Sequence, residues 1–151
     1  MMDNPIHNSG SGDSPPLWFP YPASKSIKLL PPLVLAYIGD AVFEVAVRQY
    51  LISQPKLKPH HLHVQATRFV SAKAQAKILS LIESHFTDEE RDVVRQGRNA
   101  KSGSIPKNAN VLEYRHATAL EALIGFLYYS SQHERMNFLI HQGLKEMEEA
   151  K

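Results

Sequence analysis

Two carboxylates stand where helical patterning otherwise calls for apolar side chains. Asp40 lies in Leu33-Val-Leu-Ala-Tyr-Ile-Gly-Asp-Ala-Val-Phe-Glu-Val-Ala-Val47, a run with apolar residues on nearly every face of a helix. Glu121 lies in a second such run, Ala119-Leu-Glu-Ala-Leu-Ile-Gly-Phe-Leu-Tyr128. A charge held in a buried helix costs several kcal/mol of desolvation unless something pairs with it, and metal ions are common partners. The pattern therefore predicts that these two acids, far apart in sequence, meet in space around a cation.

Each acid also has a structural reading. Asp40 can cap a helix break at Gly39, since glycine lowers helix propensity. Glu121 can pair with Arg115 or Lys73 in a structural network. Two further constellations carry less. His60-His61-x-His63 crowds three imidazoles, but ligands so close rarely share one ion without a distant fourth; a surface turn with partly buried rings accounts for them. Glu113-x-x-His116 has the spacing of a di-iron carboxylate motif, which needs a second Glu-x-x-His that this chain does not contain.

The elements that position these residues all read as helices. Pro31-Pro32 suits a first helical turn, where missing amide donors cost nothing, and that helix is predicted to run to about Ile52, ended by Ser53-Gln-Pro55. A short helix over 58–66 follows. Val70, Ala74, Ile78, Leu81 and Ile82 recur at helical spacing over 70–84. Thr87-Asp-Glu-Glu90 has the form of a capping box and opens a helix lasting to about Gly97. A basic loop over 98–109 leads to a long helix from about Val111 to Tyr129, and a last helix spans His133 to Glu149. No stretch alternates with period two, so the expected class is all-α, without internal repeats.

The chain has 151 residues, room for one domain with a real core. Residues 1–28, rich in Asn, Ser, Gly and Pro, read as a disordered or loosely docked N-terminal arm whose Leu17-Trp-Phe-Pro-Tyr-Pro22 can anchor on the domain at 29–151. No run approaches the ~18 apolar residues of a membrane span, and the start lacks the charged and apolar regions of a secretory signal. Cysteine is absent, which excludes disulfides and thiolate metal sites and fits a cytoplasmic location. Net charge is only +2, but residues 56–107 hold ten Lys and Arg against five acids. A basic middle between acidic flanks suggests a face that meets a polyanion, although such clusters are most often solvated helix surface.

Ala36-Tyr-Ile-Gly-Asp-Ala-Val-Phe-Glu44 resembles the signature helix of the ribonuclease III family, whose core reads Leu-Gly-Asp-Ala-Val-Leu-Glu. Arg68-Phe-Val-Ser-Ala-Lys-Ala-Gln-Ala76 resembles the family's next conserved helix, and Glu121-Ala-Leu-Ile-Gly125 its Glu-Ala-Leu-Ile-Gly helix. The resemblance spans about residues 29–149 and leaves no segment for a following double-stranded-RNA-binding domain. Together with Arg98-Asn-Ala-Lys-Ser-Gly-Ser and Tyr114-Arg-His-Ala-Thr118, the brevity is similar to the Mini-ribonuclease III branch, a stand-alone dimeric catalytic domain. Two positions depart from the wider family: Ala36 stands where a Glu is usual and Thr118 where an Asp is usual.

What the resemblance implies is an all-α, homodimeric ribonuclease III endonuclease-domain bundle. Its implied activity is metal-dependent cleavage of double-stranded RNA, maturing the ends of bacterial 23S ribosomal RNA precursor and leaving 5′-phosphate and 3′-hydroxyl ends. Asp40 and Glu121 become catalytic metal ligands, for Mg²⁺ with Mn²⁺ as a substitute. Mg²⁺ suits so few acids because it takes oxygen ligands and keeps several waters. Its role would be to polarise the scissile phosphate and activate the attacking water. Glu44, one turn after Asp40, is a supporting residue. Arg98, Lys101, Ser102, Ser104 and Lys107 in the basic loop, extended by Lys73, Lys77 and Arg115, form the expected RNA track, since duplex RNA is read mainly through phosphates and 2′-hydroxyls. Leu33, Tyr37, Val42 and Phe43 form the expected dimer seam. A large-subunit ribosomal protein on the precursor is a further expected partner. The competing class is an inactive ribonuclease III-like module that only grips RNA, for which the two missing acids argue.

Overall fold

The structure is a computed structural model that describes residues 17–101 and 105–150. Residues 1–16 of the arm, and Ser102, Gly103 and Ser104 of the basic loop, lie outside the described residues. Six α-helices carry the described fold: α1 (Pro32–Ile52), α2 (Leu62–Val70), α3 (Ala72–Ile82), α4 (Asp88–Asn99), α5 (Val111–Tyr129) and α6 (His133–Glu149). Among the described residues there is no strand, so the all-α expectation holds.

Local chemistry sets most of the boundaries. Pro32 starts α1 at a position whose amide has no helical partner, and Ser53 closes it, its hydroxyl donating to the Tyr50 carbonyl at 2.6 Å. A 3₁₀ turn at Pro59–His61 leads directly into α2. Ser71 then ends α2 and caps α3 in an extended conformation, its hydroxyl accepting the Ala74 amide at 3.2 Å. The sequence places this break less sharply, because apolar spacing continues across it. Both bonds of the Thr87–Glu90 capping box form, at 3.1 and 2.9 Å. At the far end of α5, the Ser131 amide donates to Tyr128 and the Gln132 amide to Leu127. Ser131 sits at φ 58°, so this is a Schellman closure with serine in the left-handed position.

α5 is the centre. It packs against α1, α3, α4 and α6, and residues on every face of it are buried, from Ala117 through Tyr128. Phe43 and Val47 of α1, Ile78 and Ile82 of α3, and Met136 of α6 fill the space around Leu123 and Leu127. Glu90, almost fully buried, ties α4 to α6 through Arg135: its two oxygens accept from the guanidinium at 2.9 Å each. Burial pushes the Glu90 carboxyl up, but the Arg135 and Thr87 bonds outweigh that and hold it below the usual range. The segment before α1 also rests on this core: the Trp18 amide donates to the Tyr128 hydroxyl at 3.2 Å, and the two rings meet edge to face at 5.1 Å.

The α1–α5 crossing is closer than side chains allow. A Cβ on Gly39 would lie 1.8 Å from the Glu121 carbonyl oxygen, and one on Gly125 would lie 1.9 Å from the Leu35 carbonyl oxygen. Gly39 therefore sits inside a continuous helix and marks a backbone-to-backbone contact. The reading of Asp40 as the cap of a break at Gly39 is corrected: α1 runs unbroken through both residues.

A second correction concerns α1 as a whole. The apolar run predicts burial on every face, but only one side enters the core, with Leu35, Val42, Phe43 and Val47. Leu33, Val34, Tyr37 and Val45 are exposed, Tyr37 to 84%. The i, i+4 spacing of 33, 37, 41 and 45 puts Leu33, Tyr37 and Val45 in one stripe, with Val34 beside it, three residues before Tyr37. Of the expected dimer seam, Leu33 and Tyr37 belong to this open stripe, whereas Val42 and Phe43 are core of their own chain.

Gly125→Ala should lower stability by about 3 kcal/mol, at the upper end of overpacking costs, or roughly 10 °C in Tm for a chain this size. Thermal unfolding followed by circular dichroism checks this; a variant that melts with the wild type would refute the close crossing.

Candidate active site

The helix crossing brings the two acids together. Asp40 follows Gly39, and Gly39 faces the backbone of Glu121 itself, so the two carboxylates emerge side by side from α1 and α5. They share a hydrogen bond. Burial pushes the Glu121 carboxyl up to about 9, and the Asp40 carboxylate beside it adds to the rise both as hydrogen-bond acceptor and as like charge. A bond from the Gln75 amide acts against that rise. Glu121 is half-buried, while Asp40 is exposed. The expectation of a buried Asp40 is thus corrected: the costly acid is Glu121, and Asp40 opens the pair to solvent.

Gln75 is the residue that sequence reasoning missed. It is 2% exposed on α3. Its Nε2 donates to the Val70 carbonyl at 3.3 Å. Its Oε1 is buried without a partner. The available signal was an amide in the stripe of Ser71, Ile78 and Ile82, where apolar spacing calls for a hydrophobic residue.

The remaining expectations separate. Glu44 is half-buried and pairs with Arg48 on its own helix at 3.5 Å. Among the described residues, Glu121 forms no ion pair with Arg115 or Lys73, which disposes of its structural reading. Ala36 packs in a small apolar cluster with Leu35 and Ala122. The Thr118 hydroxyl donates to the Tyr114 carbonyl at 3.0 Å, and neither position supplies a carboxylate. His60, His61 and His63 are all exposed rather than partly buried. Among the described residues no three His, Asp or Glu side chains converge as a metal cluster.

The cations fall into three places. Lys101 and Arg115 line one cavity of about 260 Å³ with Tyr114 and Thr118, one turn along α5 from Glu121. Lys73 and Lys77 share a groove with Arg68 and Glu113 across the outer side of α3, the helix whose inner side carries Gln75. Arg98 belongs to the last turn of α4, not to the loop. It lines a separate groove with Arg91 and Arg95, where Asp88 and Asp92 pair with those two arginines. Lys107 is exposed.

Two adjacent carboxyl groups, one holding a proton because it is buried and because the other crowds it, form an oxygen-only donor pair. Such a pair fits a hard divalent cation, which can take one or two carboxylates while keeping several waters.

The chain is similar to known proteins over most of its length. Residues 33–132 match the Ribonuclease III domain family. The chain is 52% identical over 112 residues to the Mini-ribonuclease 3 of Brevibacillus brevis, covering 74% of this chain and 84% of that protein. It is 48% identical over 118 residues to the Mini-ribonuclease 3 of Staphylococcus aureus, covering 77% and 88%. A crystal structure of a Fusobacterium nucleatum protein superposes with a TM-score of 0.71 at 32% identity, over 82% of this chain and 98% of that one.

Glu121 makes stability depend on pH. Its unfolded value is near 4.5 and its folded value about 9. Between these the folded chain retains a proton that the unfolded chain has released, so stability falls as pH rises, with a slope of up to about 1.4 kcal/mol per pH unit. Glu121→Gln stays neutral throughout and should flatten that slope. Urea unfolding at pH 5, 7 and 9 in EDTA measures it; parallel curves for variant and wild type would exclude the shared proton.

Proposed function

The chain belongs to the ribonuclease III family, and from that premise we propose a divalent-metal-dependent endoribonuclease that cuts double-stranded RNA at Asp40 and Glu121. The observation that carries this reading is the meeting of those two acids at the α1–α5 crossing, with Glu121 pushed up to about 9. Mg²⁺ is the proposed ion and Mn²⁺ its substitute. When bound, the ion supplies Lewis-acid polarisation of the scissile phosphate and activation of the attacking water.

The chain's own residues do the rest. Asp40, exposed, offers the accessible oxygens, and Glu121 completes the pair once its proton leaves. Because cation binding must displace that proton, affinity should rise with pH toward about 9. Lys101 and Arg115, sharing the cavity beside Thr118, are placed to take a phosphate near the acids. Lys73 and Lys77, with Arg68 now added, extend the contact along α3. Arg98 remains a proposed contact from the end of α4, and Lys107 with Ser102 and Ser104 from the loop. Recognition through phosphates makes binding salt-sensitive.

The open stripe of Leu33, Val34, Tyr37 and Val45 supports a homodimer, since a contiguous apolar surface of this kind marks an interaction site. Asp40 lies on the same helix, one turn from Tyr37. A two-fold pairing would set two acid pairs along one duplex and stagger the cuts. The proposed substrate is the stem of bacterial 23S ribosomal RNA precursor in the cytoplasm, with a large-subunit ribosomal protein on it. Among the described residues, no helix is long and apolar enough to cross a membrane.

Purified protein with Mg²⁺ should cut both strands of an end-labelled 23S precursor stem. Asp40→Asn, Glu121→Gln and EDTA should each reduce cleavage roughly 100-fold or more. Intact RNA with a retained gel shift would instead identify a binding module. Tyr37→Asp should shift the protein from dimer to monomer in light scattering after size exclusion; a wild type that is already monomeric at micromolar concentration would remove the dimer.

A further inference from the structure

The mechanism above leaves one buried polar side chain without a task. Gln75 is wrapped in the core between Ala74 and Ile78. One amide hydrogen is committed to the Val70 carbonyl, which the break at Ser71 leaves at the end of α2. The other side of the amide meets Glu121. These commitments fix which way the amide faces and strand Oε1 in the interior without a partner. A buried acceptor left unpaired is destabilising, and an apolar side chain of similar volume would avoid it. The bond to Val70 closes the end of α2, but it needs only one amide hydrogen and gives no reason for the contact with Glu121.

We propose that Gln75 is a positioning residue: its Nε2 holds the Glu121 carboxylate in the orientation that takes the divalent ion, and the stranded Oε1 is the consequence. Glu121 has three side-chain torsions, and its neighbours on α5, Leu120 and Ala122, are apolar. Asp40 repels it once both are ionised. Gln75 supplies a neutral donor at the buried edge of the pair, so the ionised carboxylate keeps a bond that does not compete with the cation for charge. Partners of this kind, behind the metal ligands, tune affinity by orienting the ligands. The rest of α3 serves the same reaction from its other side, where Lys73 and Lys77 face the groove. This inference rests on the nuclease reading given above.

The test uses the full-length protein with Gln75→Leu and Gln75→Met, which keep the volume and remove the donor. Expected is an Mn²⁺ affinity, measured by calorimetry on the folded protein, reduced about 10-fold, beside a small fall in Tm from the lost Val70 bond. Cleavage should show a lower kcat at unchanged KM for the RNA stem. A purely structural Gln75 would lower the Tm and leave Mn²⁺ affinity in the folded protein unchanged, and that result overturns the proposal. A wild type that binds no Mn²⁺ and leaves the RNA whole overturns the nuclease reading and this inference together. A wild type that binds and cleaves, beside variants that do both equally well, overturns the role of Gln75 alone.

Discussion

The contact between the backbones of α1 and α5 is the constraint on which the rest depends. Glycines at 39 and 125 let each helix lay its main chain against a carbonyl of the other, at Glu121 and Leu35. No side chain fits between them. This fixes where the helices cross and leaves little freedom along or across the seam, because displacement would drive a carbonyl into a neighbouring Cβ. The acid pair inherits that rigidity, since one member follows Gly39 and the other supplies the carbonyl that Gly39 faces. Groups meant to hold an ion need positions set to a fraction of an ångström, and helices hold them better than loops.

The same closeness generates the electrostatics. Glu121 is half-buried against an apolar core, and its carboxyl neighbour leaves no room for two uncompensated charges. The pair resolves this by keeping a proton, at the expense of stability as pH rises. One counterweight acts from inside, the donor of Gln75; Lys101 with Arg115, and Lys73 with Lys77, line two separate grooves.

α1 serves two masters, and this explains a composition that looks excessive for so small a domain. One face builds the core with Phe43 and Val47, while the opposite stripe carries Tyr37 and its neighbours into solvent. Asp40 lies between the two, and Glu44 with Arg48 continues the polar edge. Elsewhere the core is closed by ordinary means, through the Glu90–Arg135 pairing between α4 and α6 and the serine-based closure after α5.

Sequence by itself determined the helices and the identity of the two acids. Proline starts, the Thr87 capping box and apolar spacing are local effects, so α1, α5 and α6 run over the residues that those signals mark. Asp40 and Glu121 were conspicuous because a charge in an apolar run is rare. Only the tertiary structure decided which of them is buried, since hydropathy counts the apolar faces of a helix without telling core from open surface; α1 has both. It also decided that Arg98 and Lys101, three residues apart, face different grooves, because a helix end intervenes. Gln75 was invisible as a functional residue for the same reason. Its meaning lies in a bond to Glu121, and which distant residues touch is set by packing against α5, through forces that leave no mark on neighbouring letters of the chain.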